Sequence, residues 1–280
     1  MKKPLHYLFS LSLLLVSSMA LHAQVTIMPT SIFIHDGMGV ESLNISNYSE
    51  TPQEVRISFE FSSAGYDSLG HLVMVDPDTA TAERYGLGDY VRAFPRSFVL
   101  QPKSQQLVRL QIKPFRDKPE GTYWSRIIIS SNGAVKDIET TQMAEGVGTR
   151  INYIFNQNIP VFYKKGKVST GLQIASVDAQ LENEQLAVVA RLIPQGNSPY
   201  NGSVQARIVD EKGDLVAEKE TNTVVYFEAL RRVEIPLPEA GLPSGNYQVE
   251  LLYQTQRRDI GTKELVQAEP VRYNFPLNVK

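Results

Sequence analysis

Pro119-Glu120-Gly121-Thr122-Tyr123 is echoed at Pro243-Ser244-Gly245-Asn246-Tyr247. Both copies read Pro-x-Gly-x-Tyr, and each launches an alternating apolar segment, Tyr123 to Ile129 in the first and Tyr247 to Tyr253 in the second. Proline and glycine punctuate a chain because one fixes φ and the other frees it. A tyrosine just after such a corner can bury its ring and turn its hydroxyl back to the upstream backbone. Two corners of one kind, one in each half of the chain, predict two folding units of one kind. Tyr123 and Tyr247 are expected to hold those units together and to touch no ligand.

Working outward, the apolar pattern has period two from Val25 onward, with almost no sustained helical period. Val55, Ile57, Phe59 and Phe61 alternate with Arg56, Ser58 and Glu60, which is the pattern of a half-buried strand. Ile27, Ile32 and Ile34, Val40 to Ile45, and Leu107 to Ile112 read the same way. Between Ser62 and Arg92 the pattern degrades: Asp67-Ser68-Leu69-Gly70 and Asp76-Pro77-Asp78 look like turns, and Ala80 to Tyr85 like one short helix. Lys164-Lys165-Gly166-Lys167 reads as a hinge. Beyond it come Leu172 to Ala179, Leu186 to Ile193, Val204 to Val209, Val224 to Phe227, Arg232 to Ile235 and Val271 to Leu277, with a hairpin loop at Asp210-Glu211-Lys212-Gly213-Asp214. Strands at this spacing, with two tyrosine corners, predict an all-β protein of two tandem immunoglobulin-like β-sandwich domains, 24–165 and 166–280.

The amino terminus carries a different signal. Lys2 and Lys3 precede an apolar run from Tyr7 to Val16, and Ser17-Ser18-Met19-Ala20-Leu21-His22-Ala23 supplies small residues. That order is expected for a cleaved signal peptide over 1–23. The run is too short for the roughly 20 apolar residues of a spanning helix, so the mature chain is expected to have no integral membrane segment. The full chain has a net charge of −2, and losing Lys2 and Lys3 makes it slightly more acidic. Nothing in that balance draws nucleic acid or an anionic membrane. With no cysteine, thiol catalysis, cysteine-metal sites and disulfide staples are excluded, and the cores must hold by apolar burial.

Chemistry is sparse. Beyond the leader the only histidines are His35 and His71, far apart and in no metal-ligand spacing. His35-Asp36 has no Gly-x-Ser-x-Gly elbow to serve. Gly86-Leu87-Gly88 and Gly146-Val147-Gly148 lack the strand-to-helix setting of a phosphate cradle. Asp76 with Asp78 and Asp210 with Glu211 fall in turns, where acidic side chains serve local hydrogen bonds, and no full calcium loop surrounds the first pair. No enzyme, metal or cofactor is expected.

A binding surface is. From Ile151 to Tyr163 the odd positions Ile151, Tyr153, Phe155, Ile159, Val161 and Tyr163 are apolar, while Asn152, Asn156 and Asn158 occupy much of the other face. This is long against a common strand of about 5–6 residues. One reading makes it an interior strand of the first sandwich. The other places it at an edge, lending alternate side chains to another protein's open sheet.

Several stretches resemble the periplasmic chaperones of the chaperone–usher pilus pathway, the PapD-like family, over 25–165. Val25-Thr26-Ile27 through Leu43-Asn44-Ile45-Ser46-Asn47 is similar to the family's first two strands. Phe94-Pro95-Arg96-Ser97-Phe98-Val99-Leu100-Gln101-Pro102, then Gln106 to Leu110, resembles its Pro-x-x-Phe-x-Leu-x-Pro…Val-Arg segment. Ile159-Pro160-Val161-Phe162-Tyr163-Lys164 sits where that family has its last first-domain strand. The resemblance implies a periplasmic chaperone whose donor strand, here Ile151, Tyr153, Phe155, Ile159 and Val161, completes a pilus or fimbrial subunit and delivers it to an outer-membrane usher. The family grips the subunit's terminal carboxylate with a cleft arginine and lysine. Those positions hold Ser31 and Pro160 here, which leaves Lys164 and Lys165 as candidate cleft cations. The alternative is a secreted or surface-associated structural or adhesive protein with no client.

Overall fold

The computed structural model describes residues 25–76, 78–133, 153–182 and 184–280. The expected signal peptide, Ile151 and the Gly146-Val147-Gly148 loop lie outside the described residues. No helix among the described residues is long and apolar enough to cross a membrane.

The first body is built from β1 (Val25–Met28), β2 (Ile32–His35), β3 (Val40–Asn47), β4 (Gln53–Glu60), the hairpin β5 (Ser63–Tyr66) and β6 (Leu72–Val75), helix α1 (Thr79–Tyr85), β7 (Val91–Phe94), β8 (Ser97–Leu100), β9 (Gln105–Ile112), β10 (Gly121–Gly133) and β11 (Ile154–Lys165). One sheet has the order β1-β3-β9-β7 and the other β2-β11-β10-β4-β8. The alternating residues face inward between them: Ile34, Leu43, Ile45, Ile57, Leu110, Ile127 and Ile129 are fully buried in one cluster. Arg56 and Glu54 of β4 stay exposed. That alternation, hydrophobic in and polar out, is what pins the register of each strand.

The second body repeats the scheme. Its strands are β12 (Thr170–Glu182), β13 (Gln185–Gly196), β14 (Tyr200–Asp210), β15 (Leu215–Val225), β16 (Ala229–Pro236), β17 (Gly245–Gln254) and β18 (Val271–Val279). Sheets β12-β13-β16 and β15-β14-β17-β18 enclose Leu186, Leu192, Tyr200, Val204, Ile208, Ile235, Leu251 and Tyr253. The chain is therefore all-β, with two immunoglobulin-like sandwiches. The Tyr123 hydroxyl donates to the Pro119 carbonyl at 2.7 Å, and the Tyr247 hydroxyl to the Pro243 carbonyl at 3.0 Å. Both corners are thus closed by the residue that opens the Pro-x-Gly-x-Tyr motif.

Sequence reading left 62–92 without strands. Within it, β5 and β6 form a separate two-stranded ribbon. Asp67 makes its turn, accepting the backbone N–H groups of Leu69 and His71 at 2.9 Å each. The ribbon reaches the second sandwich, where the Tyr66 hydroxyl donates to the Val224 carbonyl and Gly70 meets β16. Helix α1 starts at Asp78, whose side chain caps Thr81 N–H.

Aromatic rings fill the seam between the two sandwiches. Phe33, Trp124, Phe162, Tyr226, Ile260 and Leu265 form a third buried cluster. Trp124 stacks on Tyr85 at 5.0 Å and lies 4.8 Å from Tyr226. Asn197 adds polar ties at the start of β10: its carbonyl accepts Thr122 N–H at 3.0 Å and its amide donates to the carbonyls of Glu120 and Lys167.

Candidate functional site

Strand β11 has two different neighbours along its length. On one side it pairs antiparallel with β10 throughout, from Ile154 opposite Asn132 to Lys165 opposite Gly121. On the other side β2 runs parallel to it only from Val161 to Lys164. Among the described residues no strand covers that side of 154–160. Among the described residues, then, half of the strand is interior and half is a sheet edge, with alternate N–H and C=O groups lacking a ladder partner there.

The side chains divide at the same place. Val161 is 0% exposed and Ile159 6%, both packed in the first core with Tyr163. Tyr153 is 66% exposed and Phe155 51%. The odd face of the strand therefore runs from solvent into the core. Of the expected donor residues, Ile159 and Val161 are packed into their own sandwich, while Tyr153 and Phe155 stand clear of it. Between the two regimes sits Gln157, whose amide donates to the Val25 carbonyl at 3.0 Å. The rings of Tyr153 and Phe155 stand 6.5 Å apart with 29° between their planes. Ile154, on the opposite face, is also exposed.

The lower end of β11 is locked. Tyr163 donates its hydroxyl to Asp36 at 2.8 Å, and the other Asp36 oxygen accepts Gly166 N–H at 3.1 Å. The Tyr163 hydrogen bond first, and then Gly166, hold the Asp36 carboxyl below its usual range. Burial and the Asp36 partner push Tyr163 up to about 12. Asp36 thus staples the end of β2 to the end of β11 and has no contact that would relay charge to His35.

Lys164 and Lys165, the expected cleft cations, both make hydrogen bonds within the protein. The Lys164 ammonium is buried, donates to the Glu264 carbonyl and lies 5.3 Å from the centre of the Phe33 ring. Burial lowers its pKa, with the charge of Glu264 working against that. The Lys165 ammonium donates to the Lys118 carbonyl. Both are engaged within the protein because β11 carries its end residues into the body of the first sandwich and the seam.

A cation that sequence reading missed stands one strand away. Arg126 on β10 is directly opposite Pro160 on β11, with Glu60 of β4 on its other side. It is half-buried, and its charge, with that of Arg257, works against the burial that raises Tyr226. Only the pairing register brings it beside Pro160; the two are far apart in the sequence. Ser31 lines a separate cleft with Glu41, Asp259 and Glu264, where acidic groups prevail. His35 contacts Glu264 at 3.2 Å, and His71 lies near Asp67. Among the described residues no group of histidines and carboxylates could hold a metal ion.

No protein-family model and no curated protein matches the chain. Among solved structures the chain is similar to the YadV chaperone, at 9% identity over 90% of this chain and 100% of that one, with a TM-score of 0.46. It is similar to a chain of the CsuC–CsuE chaperone–tip adhesion subunit pre-assembly complex from Acinetobacter baumannii, at 10% identity over 89% and 98%, TM-score 0.43. It is also similar to a chain of the Salmonella enterica SafA pilin–SafB chaperone complex, at 14% identity over 89% and 95%, TM-score 0.42.

Proposed function

We propose that the chain is an exported, non-enzymatic chaperone that stabilises pilus or fimbria-type subunits by lending them the open half of β11. The reading takes 1–23 as a cleaved signal peptide, 24–165 and 166–280 as its two domains, and the periplasm as its place of work, with an outer-membrane usher downstream. The observation that carries it is the change of state along β11: a strand anchored at Val161–Tyr163 whose extension presents two exposed rings and an edge that no strand among the described residues covers.

The physics favours donation over self-use. An exposed, regular edge with apolar side chains is a template for another chain's sheet, and natural folds blunt such edges unless they are employed. A recipient lacking one strand would gain a ladder of backbone hydrogen bonds. Each ring could remove roughly 150–250 Å² of surface from water. The anchored half keeps the donor extended, so little conformational entropy is lost on docking. Arg126 beside Pro160 supplies the charge at the cleft for a subunit's terminal carboxylate, in place of the arginine and lysine of the family that the sequence resembles.

The test is the double substitution Tyr153→Asp and Phe155→Asp. Both side chains lie outside the core, so the variant should fold, while buried unpaired carboxylates in the recipient's groove should abolish capture. Undiminished recovery of a bound subunit from periplasm with this variant would sink the proposal. A chain found outside the cell, with no partner depending on it, would favour the structural or adhesive alternative.

A further inference from the structure

Resting on the strand-donation reading, we infer that the client groove is aromatic-sized where it meets Tyr153 and Phe155, with wide pockets for both rings, and turns polar opposite Gln157.

The polar end follows from where the apolar face stops being available. Among the described residues, Tyr153, immediately before β11, and Phe155 within it are the odd-face side chains that stand clear of the home core. Gln157 comes next on that face, and its amide is already held by the Val25 carbonyl. Ile159 beyond it is buried at home. A client groove continuing as an apolar trough past the second pocket would strip the Gln157 amide of partners, which is unfavourable. The apolar part of the client groove therefore ends before Gln157.

The width follows from the rings. Residues i and i+2 on a strand stand about 6.5–7 Å apart, and the two ring centres are 6.5 Å apart. The pair already has the spacing of consecutive pockets in a sheet groove. Phe and Tyr each have two χ angles to fix, so they enter with little entropy cost for their size. A pocket shaped for leucine would overpack against a ring, and a pocket shaped for a ring leaves a void around leucine. Tyr153 carries a hydroxyl that needs a partner or water when its ring is covered.

The chemical class of client is thus an incomplete β-sandwich whose open groove has two adjacent wide pockets lined by small residues. The probe for testing this is the protein that co-purifies stoichiometrically with the full-length wild-type chain from periplasm and lacks one strand of its own sandwich. Its affinity is then measured for the wild type, for Tyr153→Leu with Phe155→Leu, for Tyr153→Phe, and for Tyr153→Asp with Phe155→Asp, after circular dichroism has shown all four to be folded. Expected are a loss of about tenfold or more for the leucine pair, little change for Tyr153→Phe, and no binding for the aspartate pair. Equal binding by the leucine pair, with the aspartate pair inactive, would overturn the aromatic groove and leave strand donation standing. Binding by the aspartate pair, or the absence of any co-purifying partner with the wild type, would overturn both.

Discussion

The backbone N–H of Arg232 donates to the carbonyl of Gly70 at 2.9 Å, tying the β5–β6 ribbon of the first sandwich to strand β16 of the second. Gly70 has φ of +82°, and a Cβ there would come within 2.7 Å of the Arg232 nitrogen. Arg232 is in turn held by Glu182 and Glu234. The tip of the ribbon is thus closely packed on β16.

Gly70→Ala should therefore destabilise the protein by about 1–3 kcal/mol, from the left-handed backbone and the close approach together. Urea denaturation checks it. An unchanged midpoint would mean that the ribbon tip can be displaced freely.

The two tyrosine corners should differ in worth. Tyr123→Phe removes a hydrogen bond from a buried residue, whereas the Tyr247 hydroxyl bond is exposed. A loss of about 1–1.5 kcal/mol is expected for the first and about 0.5 kcal/mol for the second. Thermal melts of the two single variants give the comparison, and equal losses would refute the ranking.

Acid and alkali should each loosen the Asp36–Tyr163 staple. Asp36 is held below its usual 3.8, so its contribution is complete above about pH 4 and is lost as pH falls through the lowered folded value. Tyr163 is raised from 10.0 to about 12, so its contribution is complete below pH 10 and is lost as pH rises toward 12. Asp36→Asn should flatten the acid limb of the stability–pH curve. An acid limb identical to the wild type would show that other carboxylates govern it.

Arg126 and Lys164 should separate binding from folding. Arg126→Gln is expected to weaken client capture about tenfold with no shift in melting temperature. Lys164→Gln is expected to cost about 1–2 kcal/mol of stability, because it removes a buried donor from the Glu264 carbonyl. The reverse pattern would return the cleft charge to Lys164.

Most of the architecture was legible because its signals are local. Alternation at Val55–Phe59 and the paired corners at Tyr123 and Tyr247 each depend on a few neighbouring residues. The ribbon was missed because Leu72-Val73-Met74-Val75 is a continuous apolar run with no alternation to read, in a strand with no opposing sheet. Strand β15 begins at Leu215, well before the Val224 start expected from its apolar end. Its Glu218-Lys219-Glu220 stretch lies at a solvent-facing sheet edge and carries no hydrophobic signal. At the candidate site, alternation identified the face that carries Tyr153 and Phe155. It could not say where along that face the core stops, because the burial of Ile159 depends on packing within the sandwich and not on the strand's own pattern. Arg126 was invisible for a related reason: its nearness to Pro160 exists only in the pairing of β10 with β11.

The chain contains a single tryptophan, and Trp124 lies in the aromatic seam. Its ultraviolet emission is consequently a label-free gauge of that joint alone. Water entering as the two bodies swing apart would shift the light to longer wavelength, whereas an event confined to the far tip of β11 would leave the colour unchanged.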